Sequence, residues 1–478
     1  MTFTTIDWII FLSVPLFSWI ISRRGRSPNT WRGYFLASSN LSTTGVAATY
    51  YGANLTFTAI FLVLSEEAYK RGNVVFCVPF FWFVGTIIFI LGYNKIKPFI
   101  LEGLTLHQAL GRAFNSISLQ RWASVWTIVA FVGTVSLEFF GGIKLLQWVQ
   151  LPGLANISLA LLLAIVVSAL TVTGGFRGVA WADRFLDVVS FTGAGILLWS
   201  VLRVPWSISP VPSSLMAPPS STLTDNILFI VGMAILFLPF QYCTLDSWQR
   251  LGAWKNRTES PAGFLLLAAI GLCLVYCVPI LVGLSVRSAQ AGVPLGSHPL
   301  KVFLDGHSLR PGIVGLLFAG FVAAMFGTAD ELLNCCSLSL LFDTMQIHKP
   351  MESAQDERRI VAAGKFYTAL FGFVAAIIAL AAIRFERKIT DISIAVFSAQ
   401  VVFTLPIAIA LLSPRRAARI APYARNAMIA GFVSAIALVV AGWMLHDRDT
   451  SDAAPIGAFL VASAITGAAW IVDRRRNG

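Results

Sequence analysis

The chain has 478 residues, 57% of them hydrophobic and 12% charged, with a mean hydropathy of +0.76. A soluble domain carries about 25% charged residues, so this composition, with 36 Phe and 14 Trp, excludes an ordinary soluble fold and indicates a polytopic membrane protein. The net charge of +12 demands either an acidic partner or a topological cause, and the placement of Lys and Arg decides between them.

A membrane-crossing helix needs about 20 mostly apolar residues. Thirteen segments qualify: 5–22, 42–68, 73–97, 119–148, 154–173, 179–203, 225–249, 262–286, 312–343, 360–383, 389–412, 425–446 and 455–473. Asp7 stands ahead of the apolar stretch of the first, and Arg23, Arg24 and Arg26 follow it. A secretory signal has the opposite polarity, so this segment reads as an anchor. TLHQALGRAF (105–114) has the pattern of a short amphipathic helix on the inner surface. PWSISPVPSSLMAPPSS (205–221) is a Pro/Ser-rich outside loop. No soluble domain is left over, and the sequence stops at VDRRRNG, just past the last segment. With the N-terminus outside, 24 of the 35 Lys and Arg fall in inside loops, ten fall outside, and Lys144 lies within a segment. That bias sets N-out, C-in in a plasma (inner) membrane. It accounts for the basic charge by topology and excludes a nucleic-acid partner. The lipid bilayer is the expected surrounding, and a monomer the default.

The six cysteines, Cys77, Cys243, Cys273, Cys277, Cys335 and Cys336, all lie inside apolar segments and read as small buried hydrophobes. The five histidines, His107, His298, His307, His348 and His446, fall in loops or at segment ends without metal-ligand spacing. Scattered histidines also argue against a membrane enzyme, which needs clustered nucleophile, base or metal ligands.

Two segments are interrupted in comparable ways. The second holds TYYGANLTFT (49–58), where Gly52 is followed by Asn54, Thr56 and Thr58. The seventh holds LPFQYCTLD (238–246), where Pro239 is followed by Gln241, Tyr242, Thr244 and Asp246. Non-helical backbone at membrane depth is tolerated only where it faces protein or a cavity. The two segments are five apart and run in opposite directions. Two five-helix units, each opened by a broken helix, are the pattern of an inverted-repeat transporter. A channel has no use for broken helices that offer carbonyls. The expected division is 5–22 as an extra N-terminal helix, 42–203 as the first repeat, 225–412 as the second, and 425–473 as two C-terminal helices, all within one transmembrane domain over 1–478.

Four stretches, YFLASSNLSTTGVAATYYGANLTFTAIF (34–61), GGFRGVAWADRF (174–185), SWQRLGAWKN (247–256) and RPGIVGLLFAGFVAAMFGTADELLNCCSLSLLFD (310–343), resemble the solute:sodium symporter family in order and spacing. The resemblance runs from the first segment to at least the eleventh. It implies an all-α LeuT-type 5+5 core preceded by one extra helix, and Na⁺-coupled uptake of a small polar organic solute by alternating access. It implies no organic cofactor. A sodium site is implied at carbonyls matching Gly52, Leu55 and Ala324 and at hydroxyls matching Gly327 and Thr328. Gly327 departs from that pattern, since glycine offers no side-chain oxygen where a serine is usual. A second ion site of some members is implied at Asp183, with further ligands matching Asp330 and Glu331.

Two adjacent carboxylates at membrane depth cost on the order of 3 kcal/mol each. At about 100° per residue, Ala324, Thr328, Glu331 and Cys335 share one stripe, and Asp330 lies toward Gly327 and Asp183. Three readings stay open. Glu331 or Asp330 supplies the oxygen that Gly327 lacks; the two acids form a proton site, making a proton-coupled symporter; or they sit about 27 Å along a tilted helix, partly wet at its inner end.

The solute is expected near the midplane against both broken helices. The candidates are Asn54, Thr58, Glu138, Gln241, Thr244, Asp246, Ser398 and Gln400. Glu138, an intramembrane acid, either meets an amino group of the solute or makes a structural hydrogen bond to a neighbouring helix. Tyr50, Tyr51, Phe57 and Tyr242 are candidates for an apolar lid. Family members place sugar ligands near positions matching Ala59 and Ser398; here these offer a methyl and a hydroxyl, which argues against a sugar. The remaining alternative is a transporter-like sensor without strong flux, reporting to a separate partner.

Overall fold

The computed structural model describes residues 3–103, 105–149, 155–203, 223–289, 297–307, 309–347, 353–385, 389–445 and 448–477. The loop 205–221 expected outside the membrane, and His348 and His446, lie outside the described residues. Each of the thirteen predicted segments coincides with helix. By length and apolarity, ten of the described helices suffice to cross a membrane. The difference arises because the second and third segments run on as Phe57–Leu101, the fifth and sixth as Asn156–Leu202, and the seventh is cut short at Leu223–Phe237. Asn156–Leu202 runs 47 residues, about 70 Å at 1.5 Å per residue. It bends at Gly175, whose φ of +60° is accessible to glycine alone at low cost. A Cβ there would lie 3.0 Å from the Tyr34 carbonyl. Sequence reading divides 154–173 from 179–203 at this same place.

The helices that position the site are numbered in chain order. They are α1 (Thr5–Arg24), α2 (Thr43–Asn54), α3 (Leu64–Arg71), α4 (Cys77–Leu101), α5 (Ile117–Trp148), α6 (Asn156–Leu202), α7 (Leu223–Phe237), α8 (Leu245–Ala253), α9 (Ala262–Ala289) and α10 (Ile313–Leu338). The second segment is α2, a gap at Leu55 and Thr56, a wide π-type turn over Phe57–Val63, then α3. The seventh is α7, an irregular stretch holding the single turn Phe240–Cys243, then α8. Both breaks expected from Gly and Pro are therefore present. The approaches to α2 and the end of α8 are tied by backbone bonds, Leu41 N–H to Ala253 O at 3.0 Å and Lys255 N–H to Leu41 O at 2.9 Å.

Helix α10 is the axis of the molecule. From Val314 to Leu338 only Leu316 escapes burial. It packs on both limbs of α6, on α5 and on α2. Small residues allow the approach: a Cβ on Gly193 would come within 2.9 Å of Gly320 Cα. The start of α10 is capped by α1, where Asp7 Oδ1 accepts from Gly312 N–H at 2.7 Å and Gly315 N–H at 2.8 Å. An acid ahead of the anchor thus satisfies the free donors of another helix. The amphipathic helix at Leu106–Ala113 is held by more than its apolar face. His107 is fully buried and shares a hydrogen bond with Asp343 at 2.8 Å.

Candidate functional site

Where α2 ends, Leu55 leaves helical geometry at φ −98° and ψ +68°, so the carbonyls of the last turn lose their helical partners. Two other helices answer them. Tyr276 on α9 donates to Asn54 O at 2.5 Å. Thr328 on α10 donates to Gly52 O at 2.9 Å and lies 3.3 Å from Ala324 O. Three of the five expected sodium positions, Gly52, Ala324 and Thr328, thus share one hydrogen-bonded cluster. Gly327 stands against the break through its backbone: a Cβ there would lie 3.1 Å from Gly52 Cα and 3.4 Å from Gly52 O. Gly327 thus packs directly on Gly52, with little room for a side chain between α10 and α2.

Behind Gly52 stands Asp183 of α6. A Cβ on Gly52 would meet its carboxyl carbon at 3.1 Å. Asp183 and Asp330 are both fully buried, and none of their four carboxylate oxygens has a hydrogen-bond partner among the described residues. The charged neighbours of Asp183 are Asp330, Glu331, Asp187 and Arg250. Buried carboxylates without donors call for a cation or a proton.

Glu331 is placed differently from Asp330. Its Oε1 takes Arg250 Nε at 2.7 Å, while Arg250 Nη2 pairs with Asp246 at 2.8 Å. The guanidinium also lies over the Tyr50 ring, 5.7 Å from its centre. Both acids at 330 and 331 are 0% exposed, which overturns the reading that they are partly wet. The reason is the complete enclosure of α10. Arg250 corrects a second expectation. Grouped with the inside loops, it is instead 1% exposed in the core. Its signal in the sequence was the i, i+4 spacing from Asp246 on one short helix.

A cavity of about 110 Å³ lies between the two breaks. Of the eight solute candidates, Asn54, Thr244, Asp246 and Gln400 line it; Thr58, Glu138, Gln241 and Ser398 do not. Thr58 is directed at Gly141, where an added Cβ would sit 2.1 Å from its hydroxyl. Gln241 Oε1 accepts from Ser247 at 2.7 Å, and the Ser398 hydroxyl folds back on Ile394 O at 2.5 Å. Glu138 is fully buried, and its carboxylate accepts from Phe57 N–H at 3.0 Å and Thr58 N–H at 3.2 Å. It caps the restart of the first broken helix, which matches the structural hydrogen bond rather than a solute contact. None of the four aromatics considered as a lid lines the cavity. Tyr51 and Tyr242 bond to Leu267 O and Ile88 O, Tyr50 to Thr86, and Phe57 packs on Phe321.

Sequence reasoning missed Thr56, Trp82, Tyr276 and Glu67, which line the cavity. Glu67 belongs to a second buried ion cluster. Arg71 pairs with Glu67 at 2.9 Å and with Asp452, donates to Asp225 O at 3.2 Å, and lies over the Phe229 ring at 4.6 Å. The pair Glu67 and Arg71 was visible only as another i, i+4 spacing.

No family model matches the chain. The sodium/glucose cotransporter 4 of Mus musculus is 26% identical over 200 residues, 40% of this chain and 27% of that protein. The sodium/pantothenate symporter of Escherichia coli K12 is 28% identical over 193 residues, 38% of each. The chain thus matches less than two-fifths of the length of these curated relatives. A Na⁺-coupled sialic acid symporter, solved substrate-bound and outward-open, superposes with a TM-score of 0.74 at 15% identity, covering 96% of this chain and 98% of that one. In sequence the chain resembles the solute:sodium symporters, and its fold is that of the LeuT-type transporters, an all-helical integral membrane architecture.

Proposed function

We propose that the protein is a secondary active transporter, not an enzyme, that takes up a small polar organic solute with Na⁺ by alternating access across the plasma membrane, N-terminus outside. The observation that carries this reading is the oxygen cluster at the first break. Gly52 O and Ala324 O are hard ligands, both within hydrogen-bond reach of the Thr328 hydroxyl. The carboxylate of Asp183, which like that of Asp330 has no hydrogen-bond partner among the described residues, lies just behind Gly52. Leu55 and the backbone at Gly327 complete the proposed sodium site. The solute sits in the cavity between the breaks, against Asn54, Thr244, Asp246 and Gln400.

A second reading rests on the same carboxylates. A proton shared by Asp183 and Asp330 relieves their repulsion as sodium does, and makes the protein proton-coupled. Glu331 has no part in it, being paired to Arg250. One experiment separates the two. Thermal unfolding of the purified protein is followed while NaCl is titrated against choline chloride at pH 6 and pH 8. A ligand that binds only the folded state raises stability by mass action. A saturable, sodium-specific rise whose midpoint moves about tenfold higher in Thr328→Ala supports sodium coupling. A pH-dependent melt without sodium response, altered in Asp330→Asn, refutes it in favour of the proton.

A further inference from the structure

We infer that the solute carries no negative charge: it is a neutral or cationic molecule with hydrogen-bond donors and a largely apolar body. This rests on the cavity being the solute site of the proposed transporter. In broken-helix transporters an anionic group of the substrate docks on the N-terminal end of a half-helix, whose free N–H groups and dipole attract it. Here that seat, at Phe57 and Thr58, is filled from within. Glu138 accepts both N–H groups and adds a carboxylate at the spot.

The cavity beside that seat, lined by Thr56 and Ala59 on either side of it, agrees. Among the described residues no Lys, Arg or His lines it, whereas Glu67 and Asp246 do. The arginines nearest those two acids are each shared between two carboxylates, Arg71 by Glu67 and Asp452, and Arg250 by Asp246 and Glu331. Neither has a positive charge left over for a ligand. The buried polar atoms facing the cavity without a hydrogen-bond partner include Asp246 Oδ1, a pure acceptor, and the Thr56 hydroxyl. An unmatched buried acceptor selects for a donor. Between them the wall is aromatic, with Trp82, Phe131, Phe237, Phe240, Phe397 and Tyr276. Such faces favour apolar rings and cations over anions.

The test needs no knowledge of the solute. Thr134 lines the cavity one helical turn before Glu138. In Thr134→Cys the rate of modification at residue 134 is read by mass spectrometry with three methanethiosulfonates of similar size: neutral, trimethylammonium and sulfonate. Each rate is normalised to reaction with free 2-mercaptoethanol. The sulfonate reagent is expected to react at least about tenfold more slowly than the other two. Adding Glu138→Gln, which keeps an acceptor for the capped N–H groups, is expected to raise the sulfonate rate about threefold or more. Sulfonate reaction as fast as neutral overturns the inference. An unchanged sulfonate rate in Glu138→Gln overturns the role given to Glu138. Failure of all three reagents removes the cavity as a solute route and overturns it too. The sodium response is measured separately, so loss of sodium coupling with anion exclusion intact leaves this inference standing.

Discussion

Arg250 offers the sharpest test of how the core holds its charges. It is 1% exposed and joined to Asp246 at 2.8 Å and Glu331 at 2.7 Å, themselves almost wholly buried. With charge centres about 4 Å apart and an effective dielectric constant of about 20, each pair attracts by about 4 kcal/mol, which offsets much of the desolvation of three ions. Arg250→Met keeps the bulk and removes the compensation. Two bare carboxylates then join Asp183 and Asp330, and the expected loss is about 3–5 kcal/mol of unfolding free energy. Neutralising the acids as well, in Arg250→Met with Asp246→Asn and Glu331→Gln, is expected to recover all but about 1–2 kcal/mol, since a buried ion cluster replaced by neutral groups of similar shape is often tolerated. The assay is a denaturant series in detergent read by tryptophan fluorescence. A single variant as stable as the parent, or a triple variant less stable than the single, refutes the assignment of Arg250 as counter-charge.

Three smaller perturbations probe the first break and its neighbours. Thr328→Ala removes the hydroxyl 2.9 Å from Gly52 O; the sodium midpoint in thermal melts should rise about tenfold, equivalent to about 1.4 kcal/mol. Gly85→Ala places a Cβ 2.2 Å from Phe237 O, where backbone cannot yield, and should cost about 1–3 kcal/mol in the same denaturant series. Glu138→Ala strands the N–H groups of Phe57 and Thr58 at about 1–3 kcal/mol each; amide exchange over 57–63 should accelerate, and Glu138→Gln should lose roughly half as much.

The parts of this architecture that were legible in the sequence are those written in local pattern. Apolar runs mark the helices, and Gly52 and Pro239 mark the breaks because membrane helices tolerate such interruptions only for cause. Gly327 and Thr328 were singled out through the resemblance, and the structure sets both against Gly52. What stayed hidden depends on contacts between distant segments. Glu138 caps a helix that starts 81 residues earlier. Arg250 looked like a loop residue because hydropathy counts its charge and is blind to its two partners, one of them on α10. The cavity wall contributed by Trp82 and Tyr276 is apolar in any sequence reading, and only the fold turns those rings toward a common space.

The two arginine clusters follow the breaks of the two interrupted segments, which the sequence reading runs in opposite directions, and that arrangement leads to a final prediction. Glu67, held by Arg71, and Asp246, held by Arg250, both line the cavity. The Arg71 cluster joins α3 of the first broken helix to Asp225 of α7 and to Asp452 near the C-terminal helices. The Arg250 cluster joins α8 of the second broken helix to α10. The first cluster thus joins the two broken helices, and the second holds α8 to α10 with its guanidinium over Tyr50 of α2. An alternating-access cycle opens one end while the other stays closed, so the clusters should act as separate locks. Releasing each without stranding charge isolates that role. Arg71→Met with Glu67→Gln and Asp452→Asn opens one end, and Arg250→Met with Asp246→Asn and Glu331→Gln opens the other. Both sets are combined with Thr134→Cys and assayed with a membrane-impermeant thiol reagent applied to right-side-out or inside-out vesicles. Modification should rise at least about fivefold in each set, a bias of roughly 1 kcal/mol, and from opposite faces of the membrane. A rise from the same face in both sets, or from neither, would mean that the clusters are static supports rather than the two ends of a gate.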